Sequence, residues 1–336
     1  MTMTDEGVAP SIAGRRARFP LLKSFTKVTA SVALCAGVLW IVGLERIAGE
    51  VRSISLSVLL PVLPAMSAGV LVTVRRWQVA LMAQGWRVPL PLLLRLYLGG
   101  LFFNFLGFGG LGGYAYRVSM LAKHTGSGGG AAVSLLADRS VDAASLPIIA
   151  GVGLSLFWFE REAYGLAVLA LGGAVACALG AYGVIRGGRY AGERWVAWAA
   201  AQRVPRALRE FVAGGATLAR HPDAAHRLFL LSLLFQASMI LTHYVVSWSL
   251  NLRIPLLHLI AFMPLVAIVM SPAPAVLGGL GGAQVAYVYM LGLGGIEGAK
   301  ALVLSLVVAG GIFVFSLLGG AVFLWDRLRS ARSVAL

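Results

Sequence analysis

One pentapeptide, Gly-Gly-Leu-Gly-Gly, occurs twice in this chain, at residues 109–113 and 278–282. Both copies lie within apolar stretches that are long enough to reach membrane depth. Glycine loses the most backbone freedom when it is ordered, and therefore a segment this rich in glycine predicts an interruption of a helix. Inside a bilayer, interrupted backbone is tolerated only where protein or a water-filled cavity satisfies its polar groups. The two copies therefore predict two broken helices that are sheltered within a membrane protein.

The composition also indicates an integral membrane protein. The 336 residues are 59% hydrophobic and only 12% charged, whereas soluble domains carry roughly a quarter charged residues. The net charge of +15 is accounted for by basic flanks of membrane helices on the cytoplasmic side, so we expect no nucleic-acid partner. Cys35 and Cys177 lie in apolar segments without disulfide or metal-ligand spacing, and we expect both to act as small hydrophobes.

Apolar runs of about 20 residues predict helices that cross the bilayer. Two further apolar regions contain the glycine clusters, and we expect each to form a re-entrant hairpin or a pair of short helices. The predicted fold is an all-α, polytopic transmembrane helix bundle with an inverted repeat and two re-entrant glycine-rich hairpins. The predicted full spans are 25–44, 54–74, 131–155, 163–185, 228–250 and 299–325, and the interrupted regions are 90–121 and 255–296.

Basic residues indicate which ends of the spans face the cytoplasm. A basic tail, residues 1–24, precedes the integral membrane domain, 25–326, and a second basic tail, 327–336, follows it. Both termini are therefore predicted to be cytoplasmic, and the location that we expect is the bacterial inner membrane. The halves 54–155 and 228–325 then have opposite orientations, as in transporters with inverted repeats. The alternative is chance recurrence of the pentapeptide, because the chain contains 42 glycines.

A basic segment joins the two halves. Residues 186–227 contain many arginines, interspersed with Trp195, Trp198 and several apolar residues. This pattern predicts a cytoplasmic amphipathic helix that lies on the inner membrane surface and is attracted to anionic lipid. A solvated basic linker is the alternative.

The predicted span 131–155 contains three charged residues, Asp138, Arg139 and Asp142. Each costs about 2.5–3.5 kcal/mol on membrane-insertion scales, and such residues usually mark pathways or internal ion pairs. Ser134, Asp138, Asp142 and Ser145 share one helix face, which should therefore look into protein or water. Two interpretations remain open, namely contacts to a substrate and a structural Asp–Arg pair that holds helices together.

Polar residues also flank the glycine clusters. A helix that begins after the first cluster would point free N–H groups and its positive dipole end towards the loop, and Arg117 could add a bidentate fork for phosphate. Ordinary cytoplasmic anchoring of Arg117 is the alternative. Asn104 could bond backbone that the break leaves free. The predicted substrate-binding residues are Asn104, Gly109, Gly110, Gly112, Gly113, Arg117, Asp138, Arg139, Asp142, Gly278, Gly279, Gly281, Gly282 and Gln284.

Motifs for common catalytic chemistry are missing from the sequence. There is no Gly-x-x-x-x-Gly-Lys-Ser/Thr loop for ATP and no His-Glu-x-x-His pair for a metal. There is also no Gly-x-Ser-x-Gly nucleophile elbow. We therefore expect no catalytic residue, no metal and no cofactor, and a function other than that of an enzyme.

Three motifs in order resemble the transmembrane region of lysylphosphatidylglycerol synthases and its stand-alone, flippase-like YbhN relatives. They are Arg76-Trp77, the segment 104–117 followed by Asp138-Arg139, and the segment 274–284. The resemblance covers residues 20–325, and hopanoid-associated HpnL-type proteins are a candidate subfamily. It implies a flippase-like membrane domain without synthase activity. Tyr114 and Gln284 replace two acidic residues of the family pattern, which favours an anionic or weakly polar headgroup over a cationic one.

The predicted function is movement of a membrane lipid, such as a hopanoid or a glycolipid, between the two leaflets. Membrane lipids are the expected partners. Two other classes of function are alternatives. One is a membrane-embedded lipid-modifying enzyme, and the other is a non-transporting scaffold that docks lipid-biosynthesis enzymes through residues 186–227.

Overall fold

The computed structural model describes residues 59–105, 111–126, 128–201, 220–270 and 281–334. Within these ranges the secondary structure is helical and no β-strand occurs, which confirms the predicted all-α class. The helices, in chain order, are α1 Leu59–Met82, α2 Leu90–Phe105, α3 Leu111–Thr125, α4 Gly128–Glu160, α5 Tyr164–Ala201, α6 Pro222–Ser249, α7 Leu256–Met270, α8 Gly282–Leu293 and α9 Gly298–Val334.

Four long apolar segments could cross a membrane by their length and composition. They are Gly128–Glu160, Tyr164–Gly183, Pro222–Ser249 and Gly298–Asp326, and they agree with the predicted spans in α4, α5, α6 and α9. The predicted span 54–74 overlaps α1, which ends at Met82 rather than at residue 74. The predicted span 25–44 lies outside the described residues. The chain is therefore a multi-pass membrane protein.

Each glycine-interrupted region contains a pair of short helices. With a rise of about 1.5 Å per residue, α2 and α3 are about 24 and 22 Å long, and α7 and α8 are about 22 and 18 Å long. None of the four matches the hydrocarbon core of a bilayer, which is about 30 Å thick. The junctions, residues 106–110 and 271–280, lie outside the described residues, and with them Gly109, Gly110, Gly278 and Gly279. Re-entry from one side of the membrane stays a prediction.

The helix contacts of the two halves correspond to one another. Helix α1 packs against α6, α2 packs against α9, and α7 packs against α4. Within the halves, α3 packs against α4 as α8 packs against α9. If α1–α4 are exchanged with α6–α9, this set of contacts maps onto itself. The repeat halves, 54–155 and 228–325, and their inverted orientation stay a prediction.

Two equivalent contacts depend on glycine. A Cβ atom on Gly153 of α4 would lie 2.5 Å from the carbonyl oxygen of Ile260 on α7. A Cβ atom on Gly319 of α9 would likewise collide with the carbonyl oxygen of Leu98 on α2. In both halves, therefore, a glycine of the long helix lets the backbone of a short helix approach closely, as is common where membrane helices pack.

Two helices extend further than the sequence analysis predicts. Helix α5 continues through residues 186–201, so this part of the predicted basic segment prolongs a helix instead of forming a separate surface element. Helix α9 continues to Val334, so most of the predicted tail 327–336 is helical. Both extensions contain three arginines, and the first also contains five alanines; these residue types have high helix propensity. Residues 202–219 lie outside the described residues.

Candidate functional site

A cavity of about 260 Å³ lies beside the first interrupted helix pair. Side chains from α1, α2, α3, α4 and α6 line it, so both halves of the chain contribute. Its lining is unusually rich in charge for a membrane protein, with three arginines and two aspartates. The lining residues are Thr73, Arg76, Tyr97, Asn104, Tyr114, Arg117, Leu135, Asp138, Arg139, Asp142 and Phe235.

The most extensive polar cluster of the cavity centres on Arg76. Its side chain is almost completely buried and donates from Nε to Oδ1 of Asp138 at 2.5 Å and from Nη1 to Oδ1 of Asp142 at 2.6 Å. Its Nη2 donates to Oδ2 of Asp138 at 3.3 Å, and its Nη1 also donates to Oγ of Ser232 at 3.1 Å. Burial of these charges is possible because each has a hydrogen-bonded partner of opposite sign.

This cluster joins the two halves of the molecule. Arg76 belongs to α1, and Asp138 and Asp142 belong to α4, whereas Ser232 belongs to α6 of the second half. The Arg76 guanidinium also lies 5.2 Å from the ring centroid of Phe235 on α6, which is a favourable cation–π distance. Arg76 therefore holds α1, α4 and α6 together at one level of the bundle.

An Asp–Arg pair that holds helices together was one of the two interpretations of this span, and Asp138 does form such a pair. Its bonded partner is Arg76, which is 62 positions away in the chain, and not the neighbouring Arg139. Arg139 is exposed, although it lines the cavity. Neighbouring residues of a helix point about 100° apart, so the face that carries Asp138 and Asp142 turns towards α1 and Arg139 does not.

Arg117 lines the same cavity but, unlike Arg76, has no bonded carboxylate among the described residues. It is only 7% exposed, and its guanidinium lies 4.4 Å from the ring centroid of Tyr97. Its Nε has no hydrogen-bond partner, and it forms no ion pair with a described residue. Gly100 leaves the space that the side chain occupies, because a Cβ atom there would collide with Nε of Arg117. Arg117 is thus a buried cation without a bonded anion in the described part of the chain.

Asn104 satisfies backbone near the first interruption. Its Oδ1 accepts a hydrogen bond of 2.9 Å from the backbone N–H of Gly113, in the first turn of α3. The expected role of Asn104, bonding to backbone that the break leaves free, is therefore confirmed. A Cβ atom on Gly113 would collide with this carboxamide and with the carbonyl oxygen of Gly100, so the contact requires glycine at this position.

The charged residues that line the cavity lie well away from the ends of their helices. Arg76 lies six residues before the end of α1, about 9 Å along the axis. Arg117 lies eight residues before the end of α3, about 12 Å, and Asp138 lies ten residues after the start of α4, about 15 Å. The cavity therefore lies well inside the bundle but closer to the end at which α1 stops and α4 starts.

Five predicted site residues line the cavity together: Asn104, Arg117, Asp138, Arg139 and Asp142. Gln284 does not join them. It is buried at the start of α8, where its Oε1 accepts a hydrogen bond of 2.5 Å from the backbone N–H of Gly281. Gly281 has φ 91°, a conformation that favours glycine. The described glycines Gly112, Gly113, Gly281 and Gly282 belong to helix starts and are not among the lining residues.

Several residues of the site were not expected from the sequence. Arg76 was noted only as part of an Arg-Trp motif, and Thr73, Tyr97 and Phe235 were not noted at all. One signal was present in the sequence, namely the Arg76-Trp77 pair at the end of an apolar run. In the structure both residues lie within α1, and Trp77 donates from Nε1 to Oγ of Ser134 at 3.2 Å. The adjacent glycines 99 and 100 were a second signal for a side chain that packs closely on α2.

Comparison with known proteins identifies the membrane domain. No match is found among the curated proteins or among the solved structures. The family model described as the lysylphosphatidylglycerol synthase TM region matches residues 28–320, which include the whole cavity and both interrupted helix pairs. The match does not separate subfamilies, so the HpnL-type assignment stays a prediction. By this match over most of its length, the chain belongs to the family of the lysylphosphatidylglycerol synthase transmembrane region.

Proposed function

We propose that this protein moves a membrane lipid between the two leaflets and holds the lipid headgroup in the charged cavity. The observation that carries the proposal is the cavity itself, in which buried arginine and aspartate side chains of the first half, together with Phe235 of the second half, surround a space of about 260 Å³. Charged side chains within membrane segments generally mark a substrate pathway. Membership of the lysylphosphatidylglycerol synthase TM family supports a function that involves lipid.

The size of the cavity suits a headgroup and not a complete lipid. A volume of about 260 Å³ equals that of roughly nine water molecules in the liquid and is below the usual range for drug-sized ligands. The acyl chains would therefore stay in the bilayer while the headgroup crosses through protein. The corresponding contacts of the two halves support an inverted repeat, whose halves could open the cavity to either side in turn.

The proposed setting is the bacterial inner membrane, with both chain termini in the cytoplasm. The chain carries no recognisable ATP-binding loop, so movement would follow the lipid gradient or be coupled to an ion gradient. We propose transport, not catalysis, because the carboxylates that a lipid-modifying enzyme would use, Asp138 and Asp142, are both bonded to Arg76.

Leaflet exchange in proteoliposomes tests the proposal. The purified protein is reconstituted with short-chain fluorescent phospholipids, and the fraction that an impermeant quencher reaches is followed with time. We expect exchange well above that of protein-free vesicles, and we expect Asp138→Asn to reduce it. Asp223→Asn is the matched control, because Asp223 is exposed in the first turn of α6. Thermal unfolding of each variant separates lost transport from lost folding. Exchange at the protein-free rate with every lipid class would exclude the proposal.

The two alternatives give different results in the same system. A lipid-modifying enzyme would change the mass of the lipids, which mass spectrometry of the vesicle extract detects. A scaffold for lipid-biosynthesis enzymes would lose function when the arginines of residues 186–227 are replaced, and Asp138→Asn would have no effect. No property of the described site favours either alternative over transport.

A further inference from the structure

We infer that the cavity selects an anionic headgroup, specifically a lipid phosphodiester whose remaining headgroup carries no positive charge, and that Arg117 is the residue that binds the phosphate. This inference rests on the proposed function and adds to it the class of substrate. It depends on a division of roles between two buried arginines, Arg76 and Arg117, which lie in one cavity but in different electrostatic surroundings.

Arg76 is not available to a ligand. Four hydrogen bonds join its guanidinium to Asp138, Asp142 and Ser232, and the two carboxylates more than compensate its charge. The same bonds engage both oxygens of Asp138 and Oδ1 of Asp142. A cationic headgroup entering the cavity would therefore find that both aspartates of the described lining are already bonded to Arg76.

Arg117 has the opposite character. It is more than nine-tenths buried and lines the cavity, yet its Nε lacks a hydrogen-bond partner. No carboxylate of the described residues forms an ion pair with it. An unpaired buried charge is strongly unfavourable unless an anion is supplied. The planar guanidinium with its fork of N–H donors is suited to phosphate oxygens, which it binds in a bidentate manner.

Arg139 strengthens the argument. It lines the same cavity and acts electrostatically on Arg117 as a like charge. Asp138 acts on Arg117 as an opposite charge, but it is bonded to Arg76, so a bound phosphate would further reduce the repulsion between Arg117 and Arg139. With three arginines and two aspartates in the lining, the formal charge is 3 − 2 = +1, which one phosphodiester neutralises. The side-chain N–H donors of Asn104, whose Oδ1 already accepts from Gly113, suit hydroxyl groups in the remainder of the headgroup.

Lipid binding, measured separately from transport, tests the inference. The full-length protein in neutral detergent is titrated with phosphatidylglycerol, phosphatidylcholine, a lysine-bearing phosphatidylglycerol or inorganic phosphate, and the thermal unfolding temperature is recorded. We expect phosphatidylglycerol to stabilise the wild type most. Arg117→Gln should weaken this binding about tenfold to hundredfold, which corresponds to the loss of a charge-assisted hydrogen bond. Arg117→Lys should retain part of it, because the charge remains and the fork is lost.

Lys123→Gln is the matched control, since it removes one positive charge from the same helix at an exposed position. It should bind phosphatidylglycerol like the wild type. Without lipid, Arg117→Gln should be at least as stable as the wild type, because an uncompensated buried charge has been removed. A merely structural Arg117 would give the reverse, a less stable variant that still responds to phosphatidylglycerol.

Each remaining outcome has a defined meaning. Equal stabilisation by phosphatidylcholine or by the lysine-bearing lipid would overturn the assigned class of headgroup. Stabilisation by inorganic phosphate as strong as that by phosphatidylglycerol would identify free phosphate as the ligand and overturn the assignment to a lipid. Selective, Arg117-dependent binding without leaflet exchange would reject the proposed transport and leave this inference intact. Exchange of all lipid classes at one rate would support the proposed transport and reject the inferred selection of an anionic headgroup.

Discussion

The two interrupted helix pairs share a packing scheme but differ in what their side chains do. Around the first pair, α2 and α3, charged residues of α3 itself and of two further helices, α1 and α4, surround a cavity. The second pair, α7 and α8, packs into an apolar core that contains Phe262, Met263 and Leu291. Hydrogen bonds within protein join Oε1 of Gln284 to the backbone of Gly281 and His243 to Tyr287, whereas Nε2 of Gln284 has no partner among the described residues.

The comparison shows that the packing of the short helices does not by itself create a charged cavity. A backbone scheme that occurs in both halves supplies two places where short helices meet within the bundle. Side-chain substitutions then decide which of them becomes a site. At the position four residues after the pentapeptide, the first half has Arg117 and the second has Ala286. The second half contributes to the cavity from a different helix, through Phe235 of α6, and supports the cluster there through Ser232.

The largest effect that we expect follows from replacing Arg76 with Gln. Two buried carboxylates would lose their cation, and removal of one partner of a buried ion pair typically costs about 3–5 kcal/mol. Arg75→Gln is the control. Arg75 neighbours Arg76 but is exposed, so its replacement should change the free energy of unfolding by less than about 0.5 kcal/mol. Thermal and denaturant unfolding in detergent measure both.

A triple variant sharpens this test of the first half. Arg76→Met combined with Asp138→Asn and Asp142→Asn removes the cation and both anions, so much of the stability lost in Arg76→Gln should return. Lipid binding should not return with it if the cluster orders the cavity. A triple variant as unstable as Arg76→Gln would show that the ion pairs are not the source of the loss.

The shared packing scheme predicts equal sensitivity of the two halves to a methyl group at the close contacts. Gly153→Ala and Gly319→Ala should each destabilise the protein by about 1–3 kcal/mol through overpacking, because the colliding atoms are backbone carbonyls. Gly310→Ala on α9 is the control. A Cβ atom there meets nothing within 4 Å, so higher helix propensity should leave stability unchanged or raise it. A large loss of stability in only one of the two variants would show that the two glycine contacts are not equivalent.

A change in the core of the second half should affect stability and not ligand binding. His243 donates from Nδ1 to the carbonyl oxygen of Met239, so its Nε2 accepts a hydrogen bond of 2.6 Å from the hydroxyl of Tyr287. Tyr287→Phe leaves that buried acceptor unsatisfied, at a cost of about 1–3 kcal/mol. Binding of phosphatidylglycerol should stay at the wild-type level. Loss of lipid binding in the folded variant would show that the second half carries chemistry as well.

The smallest effects concern the two carboxamides at the interruptions. Asn104→Leu and Gln284→Leu each remove an acceptor for one backbone N–H, and we expect losses of about 1 kcal/mol from each. The two variants should differ in binding, because Asn104 lines the cavity and Gln284 does not. Titration with phosphatidylglycerol measures the difference, and an equal effect on binding would place the second interruption within the site.

Much of the fold could be predicted from patterns that act locally. Apolar length marked the four candidate spans, and the glycine clusters marked the two regions in which short helices replace a long one. Helix ends were less predictable, since α5 continues past residue 185 and α9 past residue 326. Charge was used there as a sign of a loop, whereas alanine and arginine sustain a helix irrespective of the membrane boundary.

The sequence by itself determined that this is a helical membrane protein, that two of its helices are interrupted, and that Asp138 and Asp142 share a face that requires partners. It did so because hydropathy and helical periodicity are properties of neighbouring residues. Only the tertiary structure decided that Arg76 is their partner and that Arg117 remains a buried cation. Pairing depends on which helices pack together and on how each is rotated, and these contacts join residues that lie far apart in the chain.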